Sequence, residues 1–356
     1  MRNQLDKSKI GEIKFRKKLY QQQVERETHF DDEFDARGIE EILKNRMNKT
    51  LEQMKSLIKR KILVSPYIEI GAERCQRSLV LESDLGLTGT AVDISYDMLK
   101  SCEYYKEVFN KNKVPMRICC DAYNLPFLDN SIPFIFCYET LHHFPDPTPI
   151  INEIYRVLFP GGYFFFDKEP FKKHLYFPLY KGKKEYSKKY MNRSKARKLI
   201  DFVFCEKTCN ESEYNIIENF SIPLDTWKEA LLPFKIKHVK TRSLKRINTK
   251  LFESGNYLKY ILSNLFGGEI SGICRKNDSI KQNSNICTSV EDTLICPSCS
   301  EKGYKVKVKK GKYYLCNECG RKYPIIDDII FLFSYNTFKK LYPEIFMTHF
   351  KNDVKR

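Results

Sequence analysis

The amino-acid sequence predicts an α/β fold, a doubly wound and mostly parallel sheet with N-terminal helices and a small metal-binding module at the C-terminal end. Short β-rich runs such as YIEIGA, TGTAVDIS and IPFIFCYE alternate with helical stretches such as YDMLKSCEYYKEVF. Repeated strand–helix units of this kind are typical of a parallel sheet with helices on both faces. Towards the C-terminus, two C-x2-C pairs are separated by sixteen residues, which is the spacing of a zinc module.

The length and composition indicate one large domain with appendages. The chain has 356 residues, of which 42% are hydrophobic, and this is enough to build a sizeable core. We therefore predict an N-terminal helical segment over 1–60, the main domain over 61–276, a linker over 277–292, a zinc ribbon over 293–333 and a basic tail over 334–356.

The N-terminal segment contains a helix that packs against the rest of the fold. Its apolar residues recur at helical spacing, at Ile39, Ile42, Leu43, Met47 and Leu51. Further along, the runs FKIKHVKTRSL and EISGICRK predict two more strands in the second half of the main domain.

The first strand and turn, YIEIGAERCQRS, open a candidate ligand site. In an open parallel sheet, ligands bind at the carboxyl ends of the strands, where Gly71 stands. Asp93, at the end of the second strand, follows 22 positions later, about the ~20 that lets a carboxylate reach a ribose diol. Dehydrogenases and α/β domains without a ligand share this pattern, so it specifies no cofactor.

Three further motifs carry a resemblance. The runs CDAYNLPFLDN, YETLHHF and EIYRVLFPGG resemble those of the class I S-adenosylmethionine-dependent methyltransferases of the small-molecule type, over residues 65–168 and more loosely to 276. The resemblance implies that Asp121 accepts a hydrogen bond from the adenine amino group and that Ile94 packs on adenine. The full set of cofactor-binding residues that it implies is Glu69, Gly71, Ala72, Asp93, Ile94, Asp121, Ala122 and Glu139.

The first turn departs from the pattern of that family. Its usual order is acid, apolar, Gly, any, Gly, any, Gly, whereas this chain has Glu73 and Cys75 in place of the last two glycines. Glycines relieve steric conflict where backbone approaches a ligand or adopts positive φ, so Glu73 should either swing outward or enter the site. We expect S-adenosylmethionine to bind; the alternative is a methyltransferase fold that has lost catalysis.

The candidate catalytic residues follow the fourth strand. A methyl sulfonium needs no metal, but a hydroxyl acceptor must lose its proton. His142 and His143 are candidates for this general base, because histidine titrates near neutral pH. Their alternative role is that of hydrogen-bonded residues at a helix start.

The four cysteines predict a structural zinc site. Cys296, Cys299, Cys316 and Cys319 would fill a tetrahedral coordination shell and leave no open position for catalysis. The module resembles the small zinc ribbon that activates RNA and protein methyltransferases as a separate subunit. The similarity lies in Cys-Pro-x-Cys at 296–299 and in the closing Tyr-Pro-Ile at 323–325 with Asp-Ile at 328–329.

Net charge and hydropathy limit the classes of substrate and the compartment that we expect for this protein. The net charge of +17 and a basic and aromatic segment over 171–198 keep RNA open as a second substrate class. Coding bias and a solvated, lysine-rich helix face are favoured over nucleic-acid binding as the explanation of this charge. A small metabolite, sugar or lipid-linked precursor is the first class, and a non-catalytic scaffold is the third. Without an apolar run long enough for a membrane span or a secretory signal, we expect a cytoplasmic protein.

Overall fold

The computed structural model describes residues 2–22, 36–174, 194, 216, 222–243, 247–253, 257–277 and 287–350. The chain divides into two compact units. The larger unit comprises Glu12–Phe136, Arg156–Tyr163 and Asp278–Arg356, and the smaller unit comprises Met1–Gly11, Cys137–Tyr155 and Phe164–Asn277. Most of the basic segment 171–198 lies outside the described residues.

The first half of the chain alternates strands and helices, as the sequence predicts. Its elements are α1 (Arg2–Tyr20), α2 (Ala36–Lys59), β1 (Tyr67–Ile70), α3 (Gln76–Asp84), β2 (Gly89–Asp93), α4 (Tyr96–Val108), β3 (Met116–Cys119), β4 (Ile132–Tyr138), α5 (Thr148–Val157) and β5 (Leu158–Phe171).

The second half contributes shorter elements. They are α6 (Leu224–Leu231), β6 (Ile236–Ser243), β7 (Ile247–Lys250), α7 (Tyr257–Phe266), β8 (Gly268–Arg275), α8 (Pro297–Ser300), β9 (Val308–Lys310), β10 (Tyr314–Cys316), β11 (Lys322–Tyr323), β12 (Ile325–Ile326), β13 (Ile329–Phe331), α9 (Tyr335–Leu341) and α10 (Pro343–Phe350).

The larger unit contains the parallel sheet. Its strands follow the order β12-β13-β3-β2-β1-β4-β5, and β2 pairs in parallel with both β1 and β3. The residues of β1 and β4 are buried throughout, which is characteristic of strands covered on both faces. Helices α3 and α4 pack on this sheet. The prediction of a Rossmann-like, mostly parallel α/β sheet is thereby confirmed.

The C-terminal residues extend this sheet at its edge. Strand β13 pairs in parallel with β3, with Ile330 opposite Ile118, and β12 pairs antiparallel with β13. The rest of the predicted zinc ribbon forms a separate three-stranded sheet in the order β11-β10-β9. In the segment 334–356, predicted as a basic tail, α9 and α10 bury Phe338 and Phe346.

The smaller unit contains the two later strands that the sequence predicts. Strand β6 pairs antiparallel with both β8 and β7. Trp227 of α6 is fully buried and stacks on Phe166 of β5, with ring centroids 6.1 Å apart.

Of the five apolar positions predicted in α2, three are buried, Leu51 is partly exposed and Ile42 is exposed. Ile39, Leu43 and Met47 are buried, and Met54 continues the stripe. Ile42 is 50% exposed, so the prediction that it packs is wrong, because positions four apart already fill the face of α2 that contacts α3. Among the helices that the structure describes, none is long and apolar enough to cross a membrane.

Candidate functional site

The β1 turn, residues 71–75, keeps a left-handed backbone at the two positions where Glu73 and Cys75 replace the usual glycines. Gly71 has φ 66°, and the two residues in the later glycine positions, Glu73 and Cys75, have φ 52° and 56°. This conformation costs a residue with a side chain about 1 to 2 kcal/mol. The chain therefore keeps left-handed backbone at the two positions where other residues replace glycine.

The carboxylate of Glu73 lies in a cluster of arginines. It pairs with Arg16 of α1 and with Arg74 at 2.9 Å, and with Arg46 of α2 at 3.3 Å. Burial opposes ionisation, yet the three guanidinium groups hold the pKa of Glu73 well below its usual range. The N-terminal helices thus stabilise the turn by neutralising the side chain that replaces a glycine.

Asp93 connects the β1 turn to the end of β2. Its Oδ2 accepts a hydrogen bond from the amide of Glu73 at 2.8 Å, and its Oδ1 accepts one from the amide of Ser95 at 2.8 Å. The buried Ala72 donates its amide to the carbonyl of Val92 at 3.0 Å. Burial raises the pKa of Asp93 to about 6, although both backbone hydrogen bonds favour the ionised form.

Glu69 lies one residue before the end of β1. Its carboxylate accepts hydrogen bonds from the amide and the hydroxyl of Ser78 on α3, at 3.1 and 2.5 Å. Burial raises the pKa of Glu69 to about 7. This carboxyl group is therefore directed to the first turns of α3, where it fixes the helix against the strand.

Asp121 follows β3 and starts a short 3-10 turn at Ala122–Asn124, where its carboxylate accepts the amide hydrogen of Tyr123 at 3.1 Å. The next segment is fixed by Arg156, which donates to the carbonyls of Leu125 and Phe127 at 2.8 Å each.

Since β1, β2 and β3 are adjacent and parallel, the larger unit places the predicted residues of 69–72, 93–94 and 121–122 at the carboxyl ends of neighbouring strands.

The remaining predicted residues belong to the smaller unit. Glu139 has φ 50°, and its amide donates to the carbonyl of Asp167 at 3.2 Å. The next residues form a 3-10 turn at Leu141–His143, and the rings of His142 and His143 lie 4.4 Å apart between centroids.

A buried glutamate that the sequence analysis missed fixes His142. Glu169, in β5, lies 3.0 Å from Nδ1 of His142 and accepts hydrogen bonds from the amides of Thr140 at 2.7 Å and His142 at 3.2 Å. An ionised carboxylate can only accept a hydrogen bond, so this contact favours the tautomer of His142 with the ring proton on Nδ1 and Nε2 as the acceptor nitrogen. The only signal of Glu169 in the sequence was the charged run DKE that follows FFF.

The four predicted cysteines form one group, here termed the cysteine cluster. Their sulfur atoms all lie within 4.8 Å of one another. The Sγ atoms of Cys296 and Cys319 are 3.6 Å apart, and those of Cys299 and Cys316 are 3.7 Å apart. A tetrahedron with zinc–sulfur bonds of 2.3 Å has edges of about 3.8 Å, so the donor set and its spacing fit a zinc ion.

The segment that carries the cysteine cluster contacts the loop that follows Asp121. The carbonyl of Pro297, between the first two cysteines, accepts a hydrogen bond from the side chain of Asn124 at 3.3 Å. Leu294 forms a β-bridge with Phe127, and the amide of Leu128 donates to Thr293 at 2.8 Å. The segment that carries the cysteines therefore supports the loop after β3.

Comparison with known proteins identifies the central region. Residues 68–166 match the family described as a methyltransferase domain. An uncharacterized chloroplastic methyltransferase of Arabidopsis thaliana is 38% identical over 90 residues, which cover 24% of this chain and 25% of that protein. A demethylmenaquinone methyltransferase of Listeria monocytogenes is 33% identical over 87 residues, covering 24% of this chain and 36% of that protein. The chain thus spans about a quarter to a third of these relatives.

Solved structures with a similar fold include phosphoethanolamine N-methyltransferase 2 of Haemonchus contortus in complex with S-adenosylmethionine. It is 16% identical with a TM-score of 0.40, and 65% of this chain and 52% of that chain are covered. A second structure is the complex of the Haloferax volcanii Trm112 methyltransferase activator with a methyltransferase. It is 15% identical with a TM-score of 0.38, and the match covers 70% of this chain and 100% of that chain. The sequence match and the sheet order together indicate a methyltransferase domain of Rossmann-like fold over residues 68–166.

Proposed function

We propose that the chain is an S-adenosylmethionine-dependent methyltransferase that acts on a small metabolite, sugar or lipid-linked precursor. The observation that carries this proposal is the β1 turn, where Glu73 and Cys75 keep left-handed backbone and the Glu73 amide bonds to Asp93. Strained backbone of this kind persists where the surrounding structure determines it, and it clusters at ligand sites. Its occurrence at the glycine positions of the motif supports retained cofactor binding.

The larger unit supplies most of the proposed cofactor contacts. Asp93 would accept hydrogen bonds from the ribose hydroxyls, Asp121 would accept one from the adenine amino group, and Ile94 would pack on the adenine ring. Gly71 and Ala72 would bring backbone close to the cofactor, with Ala122 beside the adenine. Glu69 and Glu139 remain proposed contacts on the sequence pattern alone.

The proposed base is His142, held by Glu169. When bound, S-adenosylmethionine supplies an electrophilic methyl group on its sulfonium. The fully buried Glu169 carboxylate orients the imidazole and stabilises its protonated form, so Nε2 can accept a proton from the methyl acceptor. His143, adjacent in the same turn, is the alternative base.

A small-molecule acceptor is favoured by the relatives. The Listeria protein is named for demethylmenaquinone, a small molecule. The described residues add no support for the RNA alternative, because most of the basic segment 171–198 falls outside them.

We also propose that the cysteine cluster binds one structural zinc ion. Its four sulfur atoms have the spacing of a tetrahedral site, and three of the four cysteines are buried. Four thiolates leave no open coordination position, which is typical of structural rather than catalytic zinc.

Calorimetry with S-adenosylmethionine and its demethylated product tests the cofactor proposal first. Radiolabelled methyl transfer to cell extract, fractionated into small molecules, protein and RNA, then identifies the acceptor. Label in the small-molecule fraction supports the proposal, and label confined to RNA or protein overturns the substrate class. No binding of either compound at millimolar concentration overturns the methyltransferase function.

A further inference from the structure

The hydroxyl of Tyr342, the C-cap residue that follows α9, lies at the turn between β2 and α4. It donates a hydrogen bond to the carbonyl of Ile94 at 2.6 Å and accepts one from the amide of Tyr96 at 2.9 Å. The thiol of Cys119, the last residue of β3, is 3.7 Å away. Tyr342 is 7% exposed, so these contacts are made away from bulk water. One hydroxyl therefore connects the ends of two strands and the start of a helix.

The turn that this hydroxyl fixes carries the proposed ribose and adenine contacts. Asp93 and Ile94 are its first two residues, and Ser95 is the N-cap of α4, accepting the amide hydrogen of Met98 at 3.3 Å. The amide of Ser95 also donates to the Asp93 carboxylate. A shift of the Ile94 carbonyl or the Tyr96 amide would therefore move both groups that face the nucleoside.

Tyr342 is itself positioned through the cysteine cluster. Ser298 lies between Cys296 and Cys299, and its hydroxyl accepts the amide hydrogen of Tyr335, the first residue of α9, at 3.1 Å. The hydroxyl of Tyr323 bonds to Ser298 at 3.3 Å and lies 2.9 Å from the sulfur of Cys296. The start of α9 is thus attached to the cysteine cluster and its end to the β2–α4 turn.

Aromatic packing holds the same helix against the sheet edge. The ring of Tyr342 lies edge-on to Phe331 of β13 at 5.6 Å between centroids, and Phe338 stacks on Phe331 at 5.5 Å. Burial raises the pKa of the Tyr342 hydroxyl well above its usual range, so the hydroxyl remains protonated and can donate to Ile94 at any physiological pH.

We propose that Tyr342 is a positioning residue for the nucleoside part of the cofactor, through which the C-terminal segment 293–350 sets the affinity for S-adenosylmethionine. This inference rests on the proposed function. Without the hydroxyl, the Ile94 carbonyl keeps only the Cys119 thiol as a partner, at 3.4 Å, and the Tyr96 amide loses its hydrogen bond to Tyr342. A buried polar group without a hydrogen-bond partner has a large desolvation penalty. The turn would then relax away from the geometry that Asp93 and Ile94 require.

The test is the Tyr342→Phe variant of the full chain, with Tyr314→Phe as its matched control. Tyr314 is also buried in the C-terminal segment, and its hydroxyl bonds to Glu291 rather than to the β2–α4 turn. Calorimetry should show about tenfold weaker binding of S-adenosylhomocysteine to Tyr342→Phe. Free adenosine, measured by competition, should lose affinity by the same factor, because the effect is confined to the nucleoside part. Tyr314→Phe should bind both as the wild type does.

The outcomes separate this inference from the proposed function. Wild-type protein that binds neither compound overturns the function, and the inference with it. Wild-type protein that binds, with Tyr342→Phe binding equally well, overturns the inference alone. Equal losses in Tyr342→Phe and Tyr314→Phe, in proportion to their loss of thermal stability, also overturn it, since a general loosening would then be sufficient. Thermal unfolding of all three proteins shows that each is folded at the temperature of the binding measurement.

Discussion

The β1 turn and the cysteine cluster both belong to the larger unit, but they are held in different ways. The turn keeps its shape through strained backbone at Glu73 and Cys75 and through ion pairs with Arg16, Arg46 and Arg74. The cluster brings four thiols together within 4.8 Å. A metal bond is far stronger than a partly exposed ion pair. With the proposed zinc bound, the cluster should therefore be resistant to salt and should lose its metal only in acid, where the thiolates are protonated, whereas the turn should respond to salt.

The cysteine cluster should give the largest effect when it is broken. Cys316→Ser removes one of four ligands, so zinc should fall from about one ion per chain to nearly none. Because β13 pairs with β3 in the same unit, we expect the edge of the main sheet to loosen as well, with a loss of at least about 3 kcal/mol in unfolding free energy. Elemental analysis and thermal unfolding measure the two effects.

The control for that experiment is Cys287→Ser, because Cys287 lies in the C-terminal part of the chain but outside the cluster. It should keep the zinc and the stability of the wild type. Hydrogen exchange at β3 that stays unchanged in Cys316→Ser would show that the cluster folds independently of the sheet.

The next effect concerns the carboxylate that the β1 turn holds. Asp93→Ala removes the acceptor of two backbone hydrogen bonds and of the proposed ribose contacts. We expect S-adenosylmethionine to bind more weakly by roughly 1 to 3 kcal/mol in calorimetry. Asp121→Ala should cost less, because one proposed amino contact is lost. Asp84→Ala, which breaks an ion pair with Lys111, should bind normally; an equal loss there would refute a specific role for Asp93.

A smaller effect separates strain from charge within the turn. Glu73→Gln keeps a side chain at φ 52° but removes the charge that neutralises three arginines, whereas Glu73→Gly removes the charge and relieves the backbone strain. Both should lower stability, with the Gly variant about 1 kcal/mol more stable than the Gln variant. Urea unfolding at low and high salt measures this. Equal stability of the two variants would mean that the left-handed backbone at Glu73 is not strained.

The last expected effect is a dependence of stability on pH. Burial raises the pKa of Asp93 to about 6, above the value of about 3.9 for an unfolded chain. Between these values the native state binds more protons, so the wild type should gain stability relative to Asp93→Asn as the pH falls from about 6 to about 4. Unfolding measured across this range checks the sign, and a wild type that instead loses stability relative to the variant contradicts a raised pKa.

Local patterns were sufficient for much of the fold. Alternating apolar runs and helical stretches predicted the parallel sheet, and the cysteine spacing predicted a cluster that the structure brings within 4.8 Å. Helical periodicity was less reliable at Ile42, which is exposed. Glu169 carried no motif of its own, since a glutamate within a strand acquires a role only when a histidine such as His142 is packed against it.

The sequence by itself determined the order of strands and helices, the position of Gly71, Asp93 and Asp121 after their strands, and the four cysteines. These features depend on periodicity and spacing over a few residues, which a linear pattern records. Only the tertiary structure decided that the β1 turn keeps its left-handed backbone at Glu73 and Cys75, and that Tyr342 bonds to Ile94 across a separation of 248 residues. Such contacts are chosen by packing and by the burial of polar groups in the folded chain, and no local pattern encodes them.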